Sequence, residues 1–140
     1  MYTPSFVEII KQLSPDEAKI MSLLTQIQNA PVIWLNSTAT DGLKKNILIR
    51  NFTLLGEKAQ CTMPEMTPAY IDNLARLKLI YLLSDEYFSD ESVYNPLYEH
   101  PEIKRVQLIP LEDGRIYSII KGYLILSVFG QAFCKICVLD

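Results

Sequence analysis

The chain has 140 residues, 49% of them hydrophobic, 21% charged and 10% aromatic. That profile excludes disorder and fits one domain able to hold a core without metal or disulfide staples. Thirteen Lys and Arg against sixteen Asp and Glu leave a net charge of −3, which lacks the basic excess of a protein that coats nucleic acid. The cysteines, Cys61, Cys134 and Cys137, are odd in number and sparse, so a reducing, cytoplasmic setting is expected. The N-terminus has no basic start followed by an apolar run, and the apolar stretch 123–133 falls well short of the roughly 20 residues that cross a bilayer. Neither a signal peptide nor a membrane span is expected.

Thr3-Pro4 predicts a helix start, with Phe6, Ile9, Ile10 and Leu13 at helical spacing behind it. Ser14-Pro15-Asp16-Glu17 is a stronger one: Ser14 caps, Glu17 reaches back, and both carboxylates sit at the positive end of a helix over 15–29. Val32-Ile33-Trp34-Leu35 reads as a short strand, and Thr40-Asp41-Gly42 as a turn. Residues 46–50 can extend a strand, whereas 51–60 read better as a short helix capped by Asn51 or Thr53. Thr67-Pro68 repeats the cap-and-proline opening for a helix over 67–78, with Tyr70, Ile71, Leu74 and Leu77 on one face. Leu79 to Leu83 follows as a buried strand.

Residues 84–102 carry Asp85, Glu86, Asp90, Glu91, Glu99 and Glu102 with no Lys or Arg, interleaved with Tyr87, Phe88, Tyr94 and Tyr98. This is an acidic, aromatic insertion. A helical piece over 103–108, a turn at Glu112-Asp113-Gly114, a strand from Tyr117 to Leu126 and a helix from Ser127 complete the chain. No repeat or Gly/Ser linker divides it, so a single domain over 1–140 is expected. The order of elements predicts an α+β fold, a winged helix-turn-helix-like domain in which 84–113 enlarges the wing. The helix over 67–78 then holds the recognition position, with Asp72, Asn73 and Arg76 off its apolar face.

The Phe6–Ile20 string (Phe-Val-Glu-Ile-Ile-Lys-Gln-Leu-Ser-Pro-Asp-Glu-Ala-Lys-Ile), the Tyr70–Ile80 string and the Lys121–Cys134 string resemble the C-terminal part of the bacterial Abi-alpha (abortive infection alpha) family. The similarity spans nearly the whole chain. It implies a link to phage resistance with no assigned reaction. Members usually carry a further helical region ahead of the first string, so a trimmed or short member is expected. The second and third strings also resemble the end of many winged-helix domains, with Lys78 where glycine is usual and Ser127 where threonine is usual. Ser127 keeps a capping oxygen. A left-handed Lys78 costs about 1 kcal/mol, so the helix is expected to end in another way.

No catalytic signature stands out. Cys134-Lys-Ile-Cys137 has the spacing of a redox pair or half a zinc site, with Cys61 and His100 as remote further ligands. On a helix, however, the spacing simply places two small hydrophobes on one face, so no metal and no cofactor is expected. His100 is the lone histidine and reads as a surface loop residue. The scattered glycines form no phosphate-cradling loop, and Asp85-Glu86 and Asp90-Glu91 read as solvated charge.

The expected function is a non-enzymatic interaction or sensing module, with Tyr87, Phe88, Tyr94 and Tyr98 as the candidate interface to a protein partner or a second copy. The bland reading of the same rings is that they cover the sheet. The alternative is a winged-helix DNA-binding regulator using Lys44, Lys45, Arg50, Asn73, Arg76, Arg115 and Lys121. The mixed local charge, with Asp72, Glu112 and Asp113 beside these residues, argues against it.

Overall fold

In the computed structural model, which describes residues 4–137, α1 (Pro4–Gln12) leads into α2 (Pro15–Ile27). The expected cap at Thr3 lies outside the described residues. At the start of α2 the Ser14 hydroxyl accepts from Glu17 N–H at 3.2 Å and the Glu17 carboxylate accepts from Ser14 N–H at 2.8 Å. This is the capping box read from the sequence.

Beyond α2 the architecture departs from the expected one. The short strand is an eleven-residue β1 (Asn29–Ala39), which turns at Gly42 (φ 78°) into an antiparallel β2 (Lys45–Phe52). Asn36, Ser37 and Thr38 look like a strand end in sequence, yet all three are buried. Two of them find side-chain partners on a distant strand: Arg115 Nε donates to Ser37 Oγ at 2.6 Å, and the hydroxyls of Thr38 and Ser118 share a hydrogen bond. Asn51 caps no helix. At φ 52° it lies in β2, and its Oδ1 accepts from Trp34 Nε1–H at 3.0 Å. The helix expected over 51–60 shrinks to the single turn α3 (Leu55–Lys58).

A 3-10 turn (Pro64–Met66) runs into α4 (Thr67–Arg76). Thr67 does not cap α4; its hydroxyl donates to the Pro64 carbonyl at 2.6 Å. Lys78 corrects another expectation. It adopts φ 65°, and the bonds Lys78 N–H to Ala75 O and Leu79 N–H to Leu74 O, each 3.0 Å, close a Schellman-type end with a lysine in the glycine position. β3 (Ile80–Leu83) follows, then a 3-10 turn (Glu91–Tyr94), α5 (Asn95–Tyr98), α6 (Pro101–Gln107), β4 (Arg115–Leu126) and α7 (Val128–Cys137).

The strands form one sheet in the order β2-β1-β4-β3. The bonds Thr40 N–H to Gly114 O and Leu126 N–H to Gln28 O make β1 and β4 antiparallel. This topology overturns the winged helix-turn-helix: α3 is too short to be the first helix of a pair, and the β1–β2 hairpin lies beside β4. The fold is α+β, as expected, but it is built on a four-strand antiparallel sheet. The misreading has a physical cause. A buried polar strand carries no alternating apolar signal, and an asparagine ahead of a polar stretch looks like a cap until its tertiary partner is known.

Two compact units are distinguishable: Met1–Ala30 with Leu54–Leu82 and Leu124–Asp140, and Pro31–Thr53 with Leu83–Tyr123. In the first, Ile20, Met21, Leu24, Leu55, Ile71, Leu74 and Phe133 are buried, and the Phe6 ring meets Phe133 edge-on at 5.5 Å. In the second, Val32, Ile33, Leu35, Tyr94, Leu97 and Ile103 are buried.

Candidate functional site

The acidic aromatic segment 84–102 belongs to the second unit and is ordered by local caps. The Asp90 carboxylate accepts from Ser92 N–H at 3.0 Å, and His100 Nδ1 accepts from Glu102 N–H at 3.1 Å at the start of α6. His100 is therefore the last loop residue before α6, half-buried against the Phe52 ring and serving as the helix cap.

Tyr94 anchors the segment. The side chain is fully buried, its hydroxyl donates to the Gly122 carbonyl at 2.8 Å, and the same oxygen accepts from Phe88 N–H at 3.1 Å. Burial pushes its pKa up. Tyr98 stacks on Tyr94 with centroids 6.3 Å apart, and Phe88 packs 5.2 Å from the Tyr123 ring. The Tyr123 hydroxyl donates to Glu86 at 2.9 Å. Glycine is required at 122 because a Cβ there would lie 2.0 Å from the Leu83 carbonyl oxygen.

The interface candidates thus separate. Tyr94 is core, Phe88 and Tyr98 are half-buried cover, and Tyr87 is 56% exposed. The Lys121 ammonium pairs with Glu91 and sits 4.2 Å from the centre of the Tyr87 ring. Asp85, Glu86 and Asp90 are exposed nearby in the chain. The result is an exposed aromatic ring set against a cation that Glu91 pairs.

The basic candidates divide between the two units. Within the second unit, Lys44, Lys45 and Arg50 are exposed on or beside β2, while Arg115 donates to Ser37 Oγ and to the Ser37 carbonyl. In the first unit, Asn73 Nδ2 donates to Gln12 O at 3.1 Å and to Glu17 Oε2 at 2.9 Å. Arg76 Nη2 donates to Gln12 Oε1 at 2.8 Å and to Asn73 Oδ1 at 2.6 Å. The structure brings Asn73 and Arg76 together, and they fasten α4 to the end of α1 and the start of α2.

Asp16 is the residue that sequence reasoning undervalued. Buried at the start of α2, its carboxylate accepts from Thr62 N–H at 2.8 Å, Met63 N–H at 2.9 Å and the Tyr70 hydroxyl at 2.9 Å. The Met63 and Thr62 amides hold its pKa below the ordinary carboxylate value. Burial, and then the bond to Asp16, push Tyr70 up to about 12. Both groups are far from titrating near neutrality, so the pair acts as a clamp on the 62–63 loop. An acid in the first turn of a helix is common, and nothing in the sequence distinguishes this one.

Cys134 is buried, its thiol is pushed up to about 11 by that burial, and its Sγ lies 3.8 Å from the Met21 carbonyl. Cys61 donates to the Asp16 carbonyl at 3.6 Å. Among the described residues no group of three or more His, Cys, Asp or Glu is placed to hold a metal ion, and no helix is long and apolar enough to cross a membrane.

Comparison with known proteins bears on these features. A family model described as "Abortive infection alpha" matches residues 1–137. No curated protein matches the chain. A solved structure of an uncharacterized protein from the hydrocarbon-degrading marine bacterium Alcanivorax borkumensis SK2 is similar, with a TM-score of 0.62 and 18% identity over 94% of this chain and 90% of that one. At that identity the likeness concerns the fold alone.

Proposed function

This chain belongs to the abortive infection alpha family, and we propose that it serves there as a non-enzymatic interaction module in phage defence, docking a protein partner or a second copy through the segment 84–102. The observation that carries this reading is Tyr87, 56% exposed on a segment that Tyr94 pins from within. An exposed ring on a preorganised support loses little entropy when it is covered. The non-enzymatic part is supported by the state of Tyr70 and Cys134, whose hydroxyl and thiol both stay protonated near neutral pH.

Removing the whole segment would also remove Tyr94 from the core, so point changes are the better test. Tyr87→Ala and Asp85→Lys should leave the circular dichroism spectrum unchanged while weakening self-association or partner capture and lowering survival of phage-infected cells. Unchanged sedimentation and pull-down in both variants would sink the interface. No protection from phage by the unaltered chain would sink the defence role.

A further inference from the structure

The second unit carries another surface that the reading above does not use. In the sheet order β2-β1-β4-β3, β2 is an edge, and among the described residues no strand pairs with its outer side. Lys45 to Leu48 are all exposed, with Ile47 at 63% and Leu48 at 42%. Lys45 lies opposite Thr38, and Thr38 bonds the Ser118 hydroxyl. Alternation along the strands therefore places Lys45, Ile47 and Ile116 on one face. Ile116 is also exposed there. An edge with an uncovered Ile47-Leu48 pair is a template for strand pairing unless something guards it. The register irregularities between β1 and β2 begin at Leu48, which has no partner between the Asn36–Ile47 and Leu35–Ile49 pairs, and leave the Lys45–Ile47 stretch regular.

Charge decides what the edge accepts. Between Asp41 and Glu57 the chain carries Lys44, Lys45 and Arg50 and no acid. Two copies paired antiparallel about the Ile47–Leu48 midpoint would set Lys45 opposite Arg50, and like charges directly opposite are destabilising. The basic end attracts carboxylates instead. We propose that the open edge of β2 binds an extended peptide by strand addition, taking acidic residues beside Lys44 and Lys45 and apolar residues along Ile47 and Leu48. The main chain of β2 supplies the hydrogen bonds and the lysines supply the selection.

The test uses the full chain and a fluorescein-labelled hexapeptide of two glutamates followed by alternating valine and threonine. Expected results are saturable binding by anisotropy and slowed hydrogen exchange of the amides of β2. Affinity should fall at least tenfold in Lys44→Glu/Lys45→Glu, and equally when two lysines replace the peptide's glutamates. A peptide with proline at its centre should lose binding too, which tests strand addition on the unaltered protein even if the double variant misfolds. Equal binding of the lysine or proline peptide, unchanged exchange in β2, or binding of duplex DNA in preference to the acidic peptide through the same lysines would each overturn the proposal.

Discussion

The Tyr94 hydroxyl donates to the Gly122 carbonyl oxygen at 2.8 Å, 28 residues away in sequence, and so ties the acidic aromatic segment to β4. Replacing Tyr94 by Phe keeps the ring and leaves both the Gly122 carbonyl and the Phe88 amide without this partner. A loss of about 1–3 kcal/mol is expected in urea unfolding. Gly122→Ala should do more harm, about 3 kcal/mol or more, because its Cβ would meet backbone rather than a movable side chain. An alanine variant as stable as the parent would refute the close approach.

Lys78 holds a left-handed conformation that disfavours a side chain. Lys78→Gly should therefore raise stability by about 0.5–1 kcal/mol, visible as a higher urea midpoint with unchanged slope. A lower midpoint would mean that the lysine side chain stabilises the helix end by more than the strain costs.

The Asp16 clamp predicts an acid limb. Its folded pKa lies below the ordinary value of 3.8, so the carboxylate contributes stability above that value and loses it as pH falls through the lowered pKa. Asp16→Asn presents an NH₂ where two amides and a hydroxyl donate, and it should lower the urea midpoint at neutral pH. It should also flatten the fall in stability below about pH 4, since the titrating group is gone. An acid limb identical in parent and variant would place its origin in other carboxylates.

Burial of Cys134 predicts chemical silence. With its thiol near 11, very little thiolate is present at about pH 8. Maleimide treatment of the native chain, read by peptide mass spectrometry, should leave Cys134 unmodified over a time in which the urea-unfolded chain labels fully. Rapid native labelling would mean that α7 opens locally.

These residues also mark how far the candidate site could be read in advance. The acidic aromatic composition of 84–102 identified a segment worth attention, yet it did not separate Tyr94, which is buried, from Tyr87, which is exposed. Both lie in similar polar surroundings, and the difference comes from Gly122 on a remote strand. Asn73 and Arg76 were legible as residues off the apolar face of α4, but their partner Gln12 sits 61 and 64 positions away.

What the sequence determined by itself was local. The Ser14–Glu17 capping box, the proline-led start of α4 and the glycine turns at 42 and 114 need only neighbours within a few residues, and each is present. The tertiary structure alone decided the sheet. Trp34 completes Asn51 across 17 positions and Ser118 completes Thr38 across 80, so polar residues that look like strand ends or helix caps become interior strand residues. Burying a polar group costs least where a partner arrives, and the arrival of a distant partner leaves no periodicity in the chain.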